Sequence, residues 1–140
     1  MRLTVENKVE KEKTALERQI ELLKMQKKEK IREMLNLLAN LTQMGKAVWE
    51  ESESLDEKKF IYTRKDVGFV FKVTETTDNR KVFEIKVINL TKDSKPIGLD
   101  GIDHNEKSLY ESAERLYLEI DHGRLQDDEK NMDEVLSDLK

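Results

Sequence analysis

No glycine precedes Gly45 and the only proline is Pro96, so nothing in the opening third of the chain interrupts a helix once it has started. This predicts one long helix, or two in line, from about Val5 to Glu50. A seven-residue repeat runs through it, with seam positions at Val9, Lys13, Leu16, Ile20, Leu23, Lys27, Lys30, Met34, Leu37, Leu41, Met44 and Val48. Nine of these twelve positions are apolar and the other three are Lys, which is a coiled-coil pattern with a fault in it. Two of those Lys, together with Lys24 and Lys28, form a polar waist. It separates a narrow seam ending at Leu23 from a stripe that Ile31, Leu35 and Leu38 widen.

A narrow stripe suits a two- or three-stranded coiled coil, whereas a broad one must be covered by a sheet or by several helices. Residues 1–30 are therefore expected to project as an oligomerisation helix, and the second half of the helix to pack on a domain spanning 31–123. The oligomerisation residues this implies are Val9, Leu16, Ile20, Leu23, Met34, Leu37 and Leu41. An isolated helix is marginal in water, so the seam needs a partner: the same helix of another copy, or the C-terminal helices of this chain folding back.

After Leu55 the apolar period changes from helical to alternating. Phe60-Ile61-Tyr62 opens a run rich in aromatic and β-branched residues; Val67, Phe69, Phe71 and Val73 share one face of a second; Phe83, Ile85 and Val87 share one face of a third. This predicts a three-stranded antiparallel meander, with a tight turn at Lys65-Asp66 and another at residues 76–80, where Asp78 and Asn79 suit turn geometry. Residues 91–105 hold the Pro and two of the five Gly, so they read as an ordered loop. A helix follows from about Asn105, with Leu109, Ala113, Leu116, Tyr117 and Ile120 as its stripe and Gly123 as its C-terminal cap. Residues 124–140 are expected to form a separate short acidic helical tail. The fold class is thus α+β: a long N-terminal amphipathic or coiled-coil helix, a three-stranded antiparallel β-meander, and a C-terminal helix with its tail.

Charge is graded along the chain. Residues 1–48 carry 11 basic and 7 acidic side chains, residues 49–98 carry 10 of each, and residues 99–140 carry 5 basic and 13 acidic. Such polarity steers a basic partner to the C-terminal part, or one chain's acidic end to another's basic helix. Apolar residues make up only 36% of the chain, below the usual share of about 45–50%, so the core is small or shared. No apolar run approaches the roughly 18 residues of a membrane span, and Met1-Arg2-Leu3-Thr4-Val5-Glu6 is no secretory signal. The expectation is a cytoplasmic protein that does not enter membranes.

The chain offers little assembled chemistry. There is no Cys, hence no disulfide, thiolate metal site or cysteine nucleophile. The two His each follow an Asp, as Asp103-His104 and Asp121-His122; a helix between them holds them roughly 27 Å apart, too far for one ligand set. From Asp103 the fifth and sixth positions are Lys107 and Ser108, which breaks the calcium-loop pattern, and no Gly-rich phosphate loop or Gly-x-Ser-x-Gly elbow occurs. No cofactor, catalytic residue or metal ligand is assigned.

Element order alone resembles two families. Helix, three strands, helix is the order of double-stranded-RNA-binding domains, and the basic residues Lys24, Lys27, Lys28, Lys30 and Arg32 suit phosphate contacts. Those domains carry a Lys cluster at the start of the second helix, where this chain reads Asn105-Glu106-Lys107-Ser108-Leu109-Tyr110-Glu111 and repels phosphate. Tyr62, Phe69 and Phe71 are a second candidate nucleic-acid surface, as stacking platforms. Long helix, strands, helix is also the order of prefoldin, whose coiled-coil arms extend from a β-built base; the expected break at Gly123 makes the second arm too short. The chain is assigned to neither family.

The leading functional expectation is a non-catalytic intracellular homo-oligomer, an adaptor, inhibitor or ligand-sequestering protein, that engages a protein partner through the sheet or the acidic C-terminus. Candidate partner-binding residues are Tyr110, Tyr117, Asp127, Asp128 and Glu129. The first alternative is nucleic-acid binding through residues 24–32. The second is a metal-assisted enzyme whose site forms across subunits.

Overall fold

In a computed structural model of the chain, the backbone is described from Arg2 to Lys140 and the side chains from Thr14 onward. The elements run α1 (Arg2–Gln43), β1 (Glu50–Glu53), β2 (Glu57–Arg64), β3 (Val67–Glu75), β4 (Lys81–Asn89), β5 (Ile97–Ile102) and α2 (Lys107–Leu139). The chain divides into two compact units, the first part of α1 up to Lys30, whose side chains are exposed from Thr14 onward, and Ile31–Lys140, which holds the core. The class is α+β, as the periodicities predict.

The long helix exists for the expected reason but stops earlier than Glu50. Gly45 adopts φ +74, which only glycine takes up at little cost, and turns the chain out of the helix. The Lys46 N–H donates to the Leu41 carbonyl at 2.9 Å and the Gly45 N–H to the Thr42 carbonyl at 3.0 Å, the paired bonds of a Schellman cap. Thr42 Oγ1 also donates to the Leu38 carbonyl, and Trp49 Nε1 donates to Thr42 Oγ1 at 2.9 Å, so the loop after the cap is tied back to the helix.

The sheet has five strands, not three, in the order β1-β2-β3-β4-β5, all antiparallel. The three expected strands form its centre, and their register places Phe60 beside Phe71 and Phe71 beside Ile85 on the inner face. The Lys65-Asp66 turn joins β2 to β3 with Lys65 at φ 53, and Asn79 takes φ 61 in the turn between β3 and β4. The two added strands are the edges. β1, Glu50-Glu51-Ser52-Glu53, is wholly exposed and carries no apolar alternation, yet pairs residue for residue with β2 from Glu50 opposite Ile61 to Glu53 opposite Lys58. β5 occupies part of the expected loop. Its pairing with β4 shifts by one residue between Leu99 and Ile102, a bulge at which Gly101 takes φ +60. Gly98 faces β4 so closely that a Cβ there would lie 2.1 Å from the Ile85 carbonyl oxygen.

One face of the sheet is covered by the end of α1 and the start of α2. Ile31, Leu35, Leu38 and Ala39 come down from α1, and Leu109, Ala113, Leu116, Tyr117 and Ile120 from α2, onto Phe60, Tyr62, Phe71, Val73, Phe83, Ile85 and Ile102. Arg115 Nη2 donates to Asn40 Oδ1 at 2.6 Å between the two helices. Aromatic rings run through this layer: Phe71 and Phe83 are stacked at 5.6 Å, Tyr62 and Phe69 at 5.8 Å, and Trp49 packs on Tyr62 at 5.4 Å. Tyr62, Phe69 and Phe71 are therefore core, and they do not form a stacking surface for bases.

The expected break at Gly123 is absent: α2 continues through it to Leu139. A glycine inside a helix costs about 1 kcal/mol relative to alanine, which good helix formers on both sides outweigh. The C-terminal residues are thus not a separate short helix but the extension of the helix that packs on the sheet.

Candidate functional site

Two features outside the core can bind something: exposed apolar stripes on helices, and a cleft beside the C-terminal cap of α1. On α1 the seam residues Leu16, Ile20 and Leu23 are 59%, 49% and 64% exposed, which leaves the expected coiled-coil face open. The side chain of Val9 lies outside the described residues. Past the waist the seam changes character. Met34 and Leu41 pack partly against the core, Leu37 is exposed, and the core-facing row is Ile31, Leu35, Leu38 and Ala39. The reason is that Ile31, Leu35, Leu38 and Ala39 share the face of α1 that packs on the sheet and α2, a face offset from the seven-residue seam.

The extension of α2 carries a second stripe. Leu118, Leu125, Met132 and Leu139 recur every seven residues, with Val135 and Leu136 between the last two, and all are exposed. The seven-residue spacing is visible in the sequence, but it becomes a single surface only because the helix passes through Gly123. Asp127, Asp128 and Glu129 lie exposed in this extension. Tyr110 and Tyr117 do not: both belong to the core layer. The Tyr117 ring packs on Phe60 and Phe83, its hydroxyl accepts from Lys58 Nζ at 3.4 Å, and Lys81 Nζ sits 5.3 Å from the ring centre. Tyr110 is half-buried against Phe83, and burial, then the charge of Glu114, pushes its hydroxyl above the ordinary tyrosine range. The hydrogen bond to Tyr117 likewise raises Lys58 against the desolvation that opposes it.

The cleft, of about 490 Å³, lies between the α1 cap, β1 and α2, with Trp49, Phe60 and Ile120 among its apolar lining. Arg124 crosses it. Its Nη1 donates to both Glu51 carboxylate oxygens at 3.0 and 3.1 Å and its Nη2 to Asp121 Oδ1 at 2.6 Å. Burial opposes the guanidinium charge, but the hydrogen bonds and charges of Glu51 and Asp121 outweigh it and hold the pKa above the ordinary arginine value. Asp127 and Asp128 reach the rim. The Arg124–Glu51 pair has no sequence signal, since the two residues are 73 positions apart and β1 itself was not legible.

The basic residues Lys24, Lys27, Lys28 and Lys30 are all exposed on α1, and Arg32 is half-buried. Lys24 forms an exposed pair with Glu21 at 3.6 Å. The His residues do not meet. His104 Nε2 accepts from Arg80 Nη1 at 2.8 Å, Asp103 Oδ1 accepts from the Asn105 N–H in a local turn, and His122 is exposed on α2. Among the described residues no group of three His, Asp or Glu side chains is placed to hold a metal ion. Nor is any described helix long and apolar enough to cross a membrane. In comparisons with known proteins, no family model, curated protein or solved structure matches the chain.

Proposed function

We propose that this chain is a non-catalytic intracellular binding protein that assembles into a homo-oligomer through α1 and engages a protein partner through the sheet-bearing unit or the acidic end of α2. The observation that carries the reading is the exposed row Leu16, Ile20 and Leu23, on a helix that buries nothing with it along that stretch. Apolar residues at coiled-coil spacing stabilise a helix only when a second helix covers them. Three further polar side chains support the same view: Asp103 is engaged in a local turn, His104 with Arg80, and Arg124 in an ion pair with Glu51.

Light scattering on the parent protein and on Leu23→Asp tests it. The expected result is a parent of two or more subunits and a variant that falls to the mass of one. A parent that elutes as a single chain at high concentration overturns the reading. A second reading, nucleic-acid binding, draws on the exposure of Lys24, Lys27, Lys28 and Lys30. It predicts salt-dependent association that is lost when Lys27, Lys28 and Lys30 are replaced by Glu.

A further inference from the structure

The α1 seam is badly suited to a copy of itself. Parallel pairing sets Lys27 against Lys27 and Lys30 against Lys30, like charges within a seam. Antiparallel pairing that matches Ile20 with Leu23 sets Leu16 against Lys27. The seam of α2 has the complementary fault. Leu118, Leu125, Met132 and Leu139 hold one set of seam positions, and the other set reads Asp121, Asp128 and Val135.

We infer that the occupant of the α1 seam is the α2 extension of a second copy, packed antiparallel; this rests on the oligomeric reading above and names the surface that completes it. One register aligns the two patterns without a gap: Leu16 lies opposite Leu139, Ile20 opposite Val135 and Leu23 opposite Met132. The same register sets Lys27 opposite Asp128 within the seam, and on its flank brings Lys24 near Glu129. Lys27 and Asp128, which interrupt the two stripes, thereby meet a charge of opposite sign, while Lys30 falls opposite Leu125 at the edge of the contact; a single charged pair inside an apolar seam fixes register. Both stripes are open to receive a partner: Leu23 is 64% and Met132 55% exposed. Each copy supplies one half of the contact and receives the other, so two contacts close a symmetric dimer.

The chain has no Cys, which makes disulfide trapping clean. Leu23→Cys and Met132→Cys are made separately, each at an exposed position, then mixed and oxidised. The expected result is a mass twice the 16.5 kDa of one chain, with a disulfide-linked species that forms in the mixture far faster than in either variant alone. Lys27→Asp and Asp128→Lys should each weaken the dimer about tenfold, and combining them in one chain should restore it. A dimer that crosslinks through Leu23→Cys alone overturns this inference while leaving assembly through α1 intact. A parent protein that stays monomeric overturns both. Circular dichroism of each variant shows that the helices persist.

Discussion

Arg124 and Glu51 are joined by a two-pronged contact, both carboxylate oxygens accepting from Nη1 at 3.0 and 3.1 Å, and it pins an edge strand to the point where α2 leaves the core. β1 has no buried side chain of its own. Its hold on the fold is the ladder to β2 plus this contact.

Replacing Arg124 with Ala is expected to destabilise the chain by about 1 kcal/mol, the range for a charge-assisted pair still partly in solvent. Glu51→Ala should cost nearly the same and the double variant little more. Urea unfolding of the four proteins measures the coupling. Fully additive losses would show that the two side chains act independently.

Gly98 and Gly123 should respond in opposite directions to the same change. At Gly98 a Cβ would collide with the Ile85 carbonyl, so Gly98→Ala should push β5 off β4 at a cost of about 2 kcal/mol. At Gly123 nothing lies within 4 Å of the added Cβ, so Gly123→Ala should stabilise α2 by about 1 kcal/mol. Thermal unfolding of both variants reads the sign directly.

Leu35 is fully buried where α1 meets the sheet. Leu35→Ala should cost about 3 kcal/mol through lost burial and a residual cavity. The only Trp, Trp49, packs on Tyr62 and is bonded to Thr42 on the same helix, so its emission should shift to longer wavelength as α1 loosens. An unshifted spectrum at the unfolding midpoint would separate Trp49 from that docking.

Alkali should weaken the fold in a defined window. Tyr110 and Lys58 both have folded-state pKa values above their ordinary ones, Tyr110 through burial and Lys58 through its hydrogen bond to Tyr117. The folded chain therefore keeps protons that the unfolded chain releases. Stability from these groups is full below the unfolded values and falls as pH rises through the folded ones, from about pH 10 upward. Urea midpoints across that range should decline, and Tyr110→Phe should make the decline shallower.

Some of this architecture is legible in local sequence because its cause is local. The absence of Gly and Pro before Gly45 dictates α1, and the alternation through Phe69, Phe71 and Val73 dictates the strand β3. The seam at Leu16, Ile20 and Leu23 follows from spacing, but that the chain's own C-terminal helix leaves it exposed is seen only in the structure. The stripe on α2 was half legible: Met132, Val135, Leu136 and Leu139 were readable, but Gly123 hid their continuity with Leu118 and Leu125.

Tertiary structure decided the rest. Glu50-Glu51-Ser52-Glu53 becomes a strand only because β2 presents unpaired N–H and C=O groups beside it, a demand that no property of those four residues records. Ile97–Ile102 hides its strand behind a bulge that breaks the period of two. Side-chain period and backbone propensity belong to neighbours in sequence and can be read there. Ladder partners, the face of α1 that is buried, and the meeting of Arg124 with Glu51 belong to neighbours in space, and only the packed chain supplies them.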